Sequence, residues 1–543
     1  MITEIRRGGS AAAGAGERMQ ASGILDEGVR RRPTGPVLFC GETRLSYPEA
    51  RRRIHRLAAA FSRLGVEPGE RVAILHRNCH RFFESYFAAL HCGAVLVPLN
   101  PKLAGAEMKT VLEDAEASLV ISERSMFLGL APLFKRLPGL RGILWTGPIP
   151  PFDNPLFRSY EGEIDESPDA DMAPENPPDD AIAQIYFTSG STGIPKGVML
   201  TRGNLMAHVE RVLPDLAIDS RTTWGHIAPM FHLADAWAVW AVTAAGGTHS
   251  FLPEFSAAGA LALLESGNAG MTNLVPTMIH RMLREEGVES RDFSQLKLLL
   301  SGGAPMPAET VLRIMSAFRC EYVQTYGLTE TGPFLTLSRP DTAMKHWPIA
   351  EQIRIRCTTG RPMRGVEVRV VGEDGEEVPK DSKSVGEIQA RGPTVSPGYW
   401  KRPEETAAAF QDGWLKTGDL AVVGREGYLS IVDRKKDLIN TGGEKVYSLE
   451  VENALAAHAE VVEAAVVALA DPDLGEAVAA AVVLKEPHRA TPEELIAHCA
   501  RHLSYFKVPR TIRIVTDLPR TGSGKVLKRV LRERLASPAR EPT

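Results

Sequence analysis

The chain has 543 residues, too many for one core, and length alone indicates about three or four structural units. A net charge of -4 with 24% charged residues gives no basic footprint for nucleic acid and no polybasic patch for a membrane surface. Six scattered cysteines without a C-x-x-C pair argue for a reducing, cytoplasmic setting, and against a disulfide framework or a structural zinc site.

The first segment, "MITEIRRGGSAAAGAGERMQ", is Gly/Ala-rich without an apolar signal-peptide core, and residues 1–34 read as a disordered leader. "SYPEARRRIHRLAAAFSRLG" then predicts a helix capped by Ser46, with Pro48 in its first turn and Gly65 at its end. "RVAILH" and "AVLVPLN" read as buried strands around another helix, the rhythm of βαβ units in a largely parallel sheet. The acidic, proline-rich stretch 161–180 is an exposed connection that leads into the strand "AIAQIYF". A second α/β stretch follows over about 205–340. Its most apolar helix, "AWAVWAVTAA", is far short of the roughly 20 residues of a membrane span. From 355 to 432 short strands separated by Gly/Pro turns predict a small β-rich unit. Beyond "DRKKD" (433–437) comes a compact pattern of its own. A helix precedes two apolar strands, and a helix capped by Thr491 with Pro492 at its first position leads to "TIRIV".

Between Thr188 and Gly197 lies "TSGSTGIPKG", rich in glycine and hydroxyl groups but not a Walker loop, because Pro195 and Gly197 flank Lys196. Backbone N–H groups and the hydroxyls of Thr188, Ser189, Ser191 and Thr192 suit polyphosphate oxygens, and Lys196 adds a point charge. A flexible linker has the same composition. Four further stretches bear on the choice: "SGGAP" (301–305), "QTYGLTE" (324–330), "WLKTGDL" (414–420) with Asp419 read on a turn, and the pair "DRKKDLINTGGEKV" and "PRTGSGKVLKR". Taken singly, each also reads as an ordinary turn or a solvated basic face.

In this order and spacing the set resembles the adenylate-forming superfamily of acyl-CoA synthetases, aryl-CoA ligases, luciferases and nonribosomal-peptide adenylation domains, over about residues 35–535. The resemblance implies an α/β fold: a large N-terminal domain (35–432) of two α/β subdomains plus a small β-barrel-like unit. A hinge (433–437), a small mobile α+β domain (438–536) and a tail (537–543) follow. It also implies ATP, Mg²⁺ and coenzyme A, a monomer or homodimer, and no nucleic-acid partner. Thr188, Ser189, Gly190, Ser191, Thr192, Gly193 and Lys196 would hold the pyrophosphate part of ATP, with Thr329 near the phosphates and Glu330 as the magnesium ligand. Gly302, Gly303, Ala304, Pro305, Gln324, Thr325, Tyr326 and Gly327 would bound the adenine side, and Asp419 and Arg434 would fix the ribose. Lys525 would bridge the carboxylate and the α-phosphate, Lys436 would be the pivot, and Gly442, Gly443 and Glu444 would line the thiol passage.

"PMFHLADAW" (229–237) corresponds to the family's carboxylate-pocket segment, with His232 as the gate and Leu233, Trp237, Gly302, Gly327 and Pro333 around the acyl group. Leu233 stands where amino-acid-activating members carry an aspartate, and Asp235 is expected to point elsewhere. The expected substrate is a hydrophobic carboxylic acid, a fatty acid ahead of an aryl acid. The acceptor is coenzyme A, with the phosphopantetheine of an acyl carrier protein as the alternative.

Overall fold

A computed structural model of the chain describes residues 19–103, 105–123, 126, 137, 139–147, 155–168, 174–189, 195–520 and 526–536. A seven-stranded sheet runs in the order Phe157–Ser159, Gly142–Trp145, Ala117–Ser122, Arg71–Leu75, Val95–Pro98, Ile182–Ser189, Pro195–Thr201. It is parallel except for its last pair. Alternate residues serve opposite faces, as the pleat requires. Val72 and Ile74 join the central core, while Ala73 and Leu75 pack against Met108, Val111 and Leu112.

The second sheet has nine strands. Its middle follows from "WGH", "HSF", "NL", "LLLSG" and "VQTY", and its edge is the hairpin Pro36–Cys40 and Thr43–Ser46, which pairs in parallel with Thr248–Phe251. One core cluster joins both sheets: Ile74, Leu96 and Ile121 of the first, and Trp224, Leu300 and Val323 of the second. Within it, His80–His91 and Leu233–Ala244 are helices enclosed on nearly every side, the second consistent with its apolar run from Ala236 to Val242.

Local signals produce the expected helices. Ser46 closes a capping box with Glu49 at the start of Tyr47–Arg63, and Thr491 does the same with Glu494 before Pro492–His502. The leader does not extend to residue 34, however. Ile24–Arg31 form a helix whose Ile24 and Leu25 are buried, and Gly28 lies so close to Tyr47 and the Thr243 carbonyl that no side chain would fit. Its apolar face is what draws it onto the core.

A five-stranded antiparallel sheet carries Glu367–Val371, Gly386–Arg391 and Trp414–Val423, and ends in Leu429–Arg434. The C-terminal unit is a second five-stranded sheet, built on the long pair Val461–Asp471 and Gly475–Leu484, with Thr511–Ile514 alongside. Both of its faces are covered: one by Leu455 and Leu495, the other by Leu531 and Leu535. Among the described residues, no helix is long and apolar enough to cross a membrane.

Candidate active site

Two antiparallel strands flank the glycine- and hydroxyl-rich stretch. Ile182–Ser189 and Pro195–Thr201 pair antiparallel, with Thr188 opposite Lys196, and the Thr188 hydroxyl donates to the Lys196 carbonyl at 3.5 Å. Gly190, Ser191, Thr192 and Gly193 lie outside the described residues. Segment Gly398–Trp400 is laced along the second strand, Trp400 N donating to the Gly197 carbonyl (2.7 Å) and Met199 N to the Gly398 carbonyl (3.1 Å). Gly197 permits this approach, since a Cβ there would stand 2.8 Å from Ile185 and 3.2 Å from Trp400.

The lacing delivers Tyr399 to the site. The Lys196 ammonium pairs with Glu405 and stands 5.3 Å from the centre of the Tyr399 ring, while the Tyr399 hydroxyl donates to Glu330 Oε1 at 3.0 Å. Burial, and then the Glu330 carboxylate, hold the Tyr399 phenol well above its ordinary range, so it stays a donor. Glu330 and Thr329 belong to one tight turn, Thr329–Thr331, in a loop closed on itself. The Thr331 hydroxyl donates to the Leu328 and Pro333 carbonyls, and a Cβ on Gly327 would collide with the Pro333 carbonyl. Cation, aromatic ring and carboxylate thus converge from three distant stretches of sequence.

Parallel neighbours Leu298–Gly302 and Glu321–Tyr326 end level, Gly302 facing Thr325, and their carboxyl ends are where an open α/β sheet offers a ligand crevice. Gly302 has only 2.7 Å of room for a Cβ before Thr325 Oγ1, and Gly303 takes φ +93°. Ala304 and Pro305 are exposed. Gln324 and Thr325 are instead committed to the sheet: Gln324 Oε1 accepts from the Tyr322 hydroxyl (3.3 Å), and Thr325 Oγ1 donates to the Ser301 carbonyl (3.2 Å). The Tyr326 hydroxyl donates to Asp419 Oδ2 at 2.8 Å, and Arg434 Nε lies 3.2 Å from Asp419 Oδ1. Asp419 is not on a turn. Thr417, Gly418 and Asp419 bulge out of strand Trp414–Val423 between the partners of Gln389 and Glu387, with Gly418 at φ +74°. The bulge aims the carboxylate while Arg434 sits opposite it on the next strand.

His232 caps the helix Leu233–Ala244 and is half-buried; of that helix only Ala234 is exposed. Leu233, Trp237 and Pro333 are enclosed in the core, Trp237 because its ring is wedged edge-on against Trp224 (4.8 Å) and Phe334 (5.2 Å). Half-exposed Gly302, Gly327 and His232 are the members of the expected acyl set that present surface. Asp235 points inward, its Oδ2 at 2.6 Å from His226 Nδ1 and its Oδ1 accepting from Trp224 Nε1 at 3.3 Å. Asn78 fixes the approach to His232: its amide donates to the His226 and Ala228 carbonyls and its Oδ1 accepts from Met230 N at 2.8 Å. Sequence reasoning missed Asn78, Tyr399 and Glu405; only the Gly-Tyr-Trp run after Pro397 hinted at Tyr399.

Residues 25–400 match the family model of the AMP-binding enzymes, and residues 450–525 match that of the AMP-binding enzyme C-terminal domain. The chain belongs to the AMP-binding enzyme family. It is 37% identical over 515 residues to a feruloyl-CoA synthase of Amycolatopsis sp, covering 93% of this chain and 97% of that one. It is 33% identical over 515 residues to a fatty acid–[acyl-carrier-protein] ligase of Streptomyces coeruleorubidus, covering 93% and 94%. Among solved structures, ATP-bound MatB from Rhodopseudomonas palustris superposes with a TM-score of 0.85 at 29% identity, over 95% of this chain and 99% of that one. The enzyme is an AMP-forming acid–thiol ligase of the acyl-CoA synthetase kind, acting on a small-molecule carboxylic acid with ATP and coenzyme A.

In the ligase, the two expected lobes meet at Asp433. This carboxylate accepts from the backbone N–H of Ser448 and, at 2.9 Å, from the Ser448 hydroxyl; the Lys528 ammonium donates to that hydroxyl (2.6 Å) and pairs with Glu452 (2.8 Å). Burial raises the Asp433 carboxyl, and the Lys528 charge opposes the shift. Lys436 is exposed in the following turn. Gly442 (φ +58°) and Gly443 (φ +87°) make the turn of the hairpin Ile439–Thr441 and Glu444–Val446, with Glu444 exposed. Lys525 lies outside the described residues.

Proposed function

We propose that the chain activates a hydrophobic carboxylic acid, fatty or aryl, by attack of its carboxylate on the α-phosphorus of ATP, releasing pyrophosphate, and then passes the acyl group to the thiol of coenzyme A. The observation that carries this reading is the convergence of Lys196 and Glu330 on Tyr399 beside the hairpin.

A carboxylate is a poor electrophile and two anions repel, so the site must neutralise charge before it can catalyse. Lys196 is the cation poised at the hairpin; on binding it exchanges Glu405 for phosphate oxygens. Glu330 is an oxygen donor held by Tyr399 at one carboxylate oxygen, a donor type that suits a hard divalent cation. It would hold the Mg²⁺ of the nucleotide, whose charge would offset that of the phosphates. Tyr326 offers its ring to adenine while its hydroxyl aligns Asp419, and Asp419 and Arg434 serve the ribose hydroxyls. His232 and Ala234 flank the reacting carboxylate. Residues 433–437 are the pivot between 35–432 and 438–536. Rotation about Lys436 withdraws Lys525 after adenylation and brings in the Gly442–Gly443 turn, whose lack of side chains leaves a passage for a pantetheine arm. The likeness to a ligase that loads a carrier protein keeps phosphopantetheine as a second acceptor.

The test is exchange of radiolabelled pyrophosphate into ATP across a panel of fatty and aryl acids, followed by thioester formation with coenzyme A or with a carrier protein. Acid-dependent exchange and an acyl-CoA product are expected. Absence of exchange with every acid would overturn the reading.

A further inference from the structure

His208 lies on the helix Arg202–Leu216, 1% exposed, and no part of the nucleotide site uses it. Neither of its ring nitrogens has a hydrogen-bond partner among the described residues. Its ring is edge-on to Trp237 (centroids 5.4 Å apart) and tilted against Phe334 (5.6 Å), and those two rings are 5.2 Å from each other. Three rings from three elements therefore form a triangle. Trp237 comes from the helix that begins at His232, three residues and nearly one turn beyond exposed Ala234, and Phe334 directly follows the loop that carries Glu330. Trp237 thus links the helix that His232 caps to the buried His208.

Burial, reinforced by Arg211, pushes the imidazole down to about 3, so the ring is neutral and offers one N–H donor and one acceptor. The Trp237 indole N–H is already spent on the Ala234 carbonyl at 3.0 Å and does not serve His208. Between two aromatic rings in an apolar core a leucine or phenylalanine would pack without polar cost; an imidazole with both nitrogens unspent is costly unless something completes it. A hydroxyl can meet the nitrogen that faces it, donating to the bare one or accepting from the protonated one.

We propose that His208 reads a hydroxyl at the far end of the acid. The substrate class is thus a hydroxylated aromatic carboxylic acid whose ring lies between Trp237 and Phe334, which move apart to admit it. This deepens the ligase reading and rests on it.

The test compares matched acids by kcat/KM in pyrophosphate exchange: para-hydroxycinnamate against cinnamate, and octanoate against its terminal hydroxy analogue. A site built to bond a hydroxyl rejects the analogue lacking it, so wild type is expected to favour para-hydroxycinnamate by at least about tenfold. His208→Leu is expected to bring that ratio to about one while keeping or raising activity on cinnamate, and His208→Gln, which retains a donor and an acceptor, to keep much of the preference. A wild-type ratio near one, or a His208→Leu enzyme that loses both acids equally with the ratio intact, would overturn the assignment and leave His208 a packing residue. If His208→Leu fails to fold, the wild-type and His208→Gln ratios decide. Lack of exchange with every acid would sink the ligase reading itself, whereas exchange without hydroxyl preference sinks only the role of His208.

Discussion

Replacing Asp419 by Asn isolates the charge of one acceptor from its shape. The carboxylate is enclosed, accepts from the Tyr326 hydroxyl at 2.8 Å, and lies 3.2 Å from Arg434 Nε, whose side chain is 41% exposed. Asparagine can still accept from Tyr326 through Oδ1, and a half-exposed guanidinium loses little, so folding stability should fall by less than about 1 kcal/mol. Nucleotide binding should suffer more. A ribose hydroxyl bonded to a charged acceptor is worth about 1.5–3 kcal/mol, which is roughly 10- to 150-fold in the KM for ATP. Pyrophosphate exchange at saturating acid gives that KM, and a thermal melt controls for folding. The KM for the acid should stay within about twofold, because the acid binds beyond the adenine side. An unchanged KM for ATP, or equal losses for ATP and acid, would refute the placement of the ribose at Asp419.

Tyr399→Phe removes the donor that holds Glu330, and Glu330→Gln removes the charge; both should raise the magnesium concentration for half-maximal exchange, Glu330→Gln by more, and a magnesium titration checks the order. Lys525→Ala should slow adenylation by roughly 10²–10³ yet spare thioester formation from presynthesised acyl-adenylate; equal loss in both half-reactions would contradict lobe rotation. The buried histidines set an acid limit on folding. His208 is held down to about 3 and His76 and His80 to about 4, each below the ordinary 6.5 and each chiefly by burial, so the unfolded chain takes up these protons first. Their stabilisation is complete above about pH 6.5 and falls by about 1.4 kcal/mol per unit per residue below it. Chemical denaturation between about pH 7 and 5 should show that slope, and His208→Leu should make it shallower.

Helices with local punctuation were legible in the sequence: Ser46 with Glu49, and Thr491 with Pro492 and Glu494, cap where their spacing says. So was the alternation of strands and helices behind both largely parallel sheets. Pairings between remote segments were not. Nothing near Pro36–Cys40 says that it will join Thr248–Phe251, and the leader's composition hid the apolar face of Ile24–Arg31. Asp419 read as a turn because Thr-Gly-Asp is turn chemistry; the flanking strands override it and turn it into a bulge. The site residues chosen for their motifs were legible by type, yet their partners were not. Tyr399 and Glu405 meet Lys196 from about two hundred residues away, and no local pattern encodes that. No motif singles out His208, and only its packing marks it out.

The central claim is that the acid's own carboxylate attacks the α-phosphorus beside the Thr188–Gly197 hairpin. Turnover of an acid whose carboxylate carries heavy-isotope oxygen tests this directly, with mass analysis of the nucleotide and the phosphate products. The account predicts one labelled oxygen in AMP and none in pyrophosphate. Label in inorganic phosphate with ADP as the nucleotide product would contradict it.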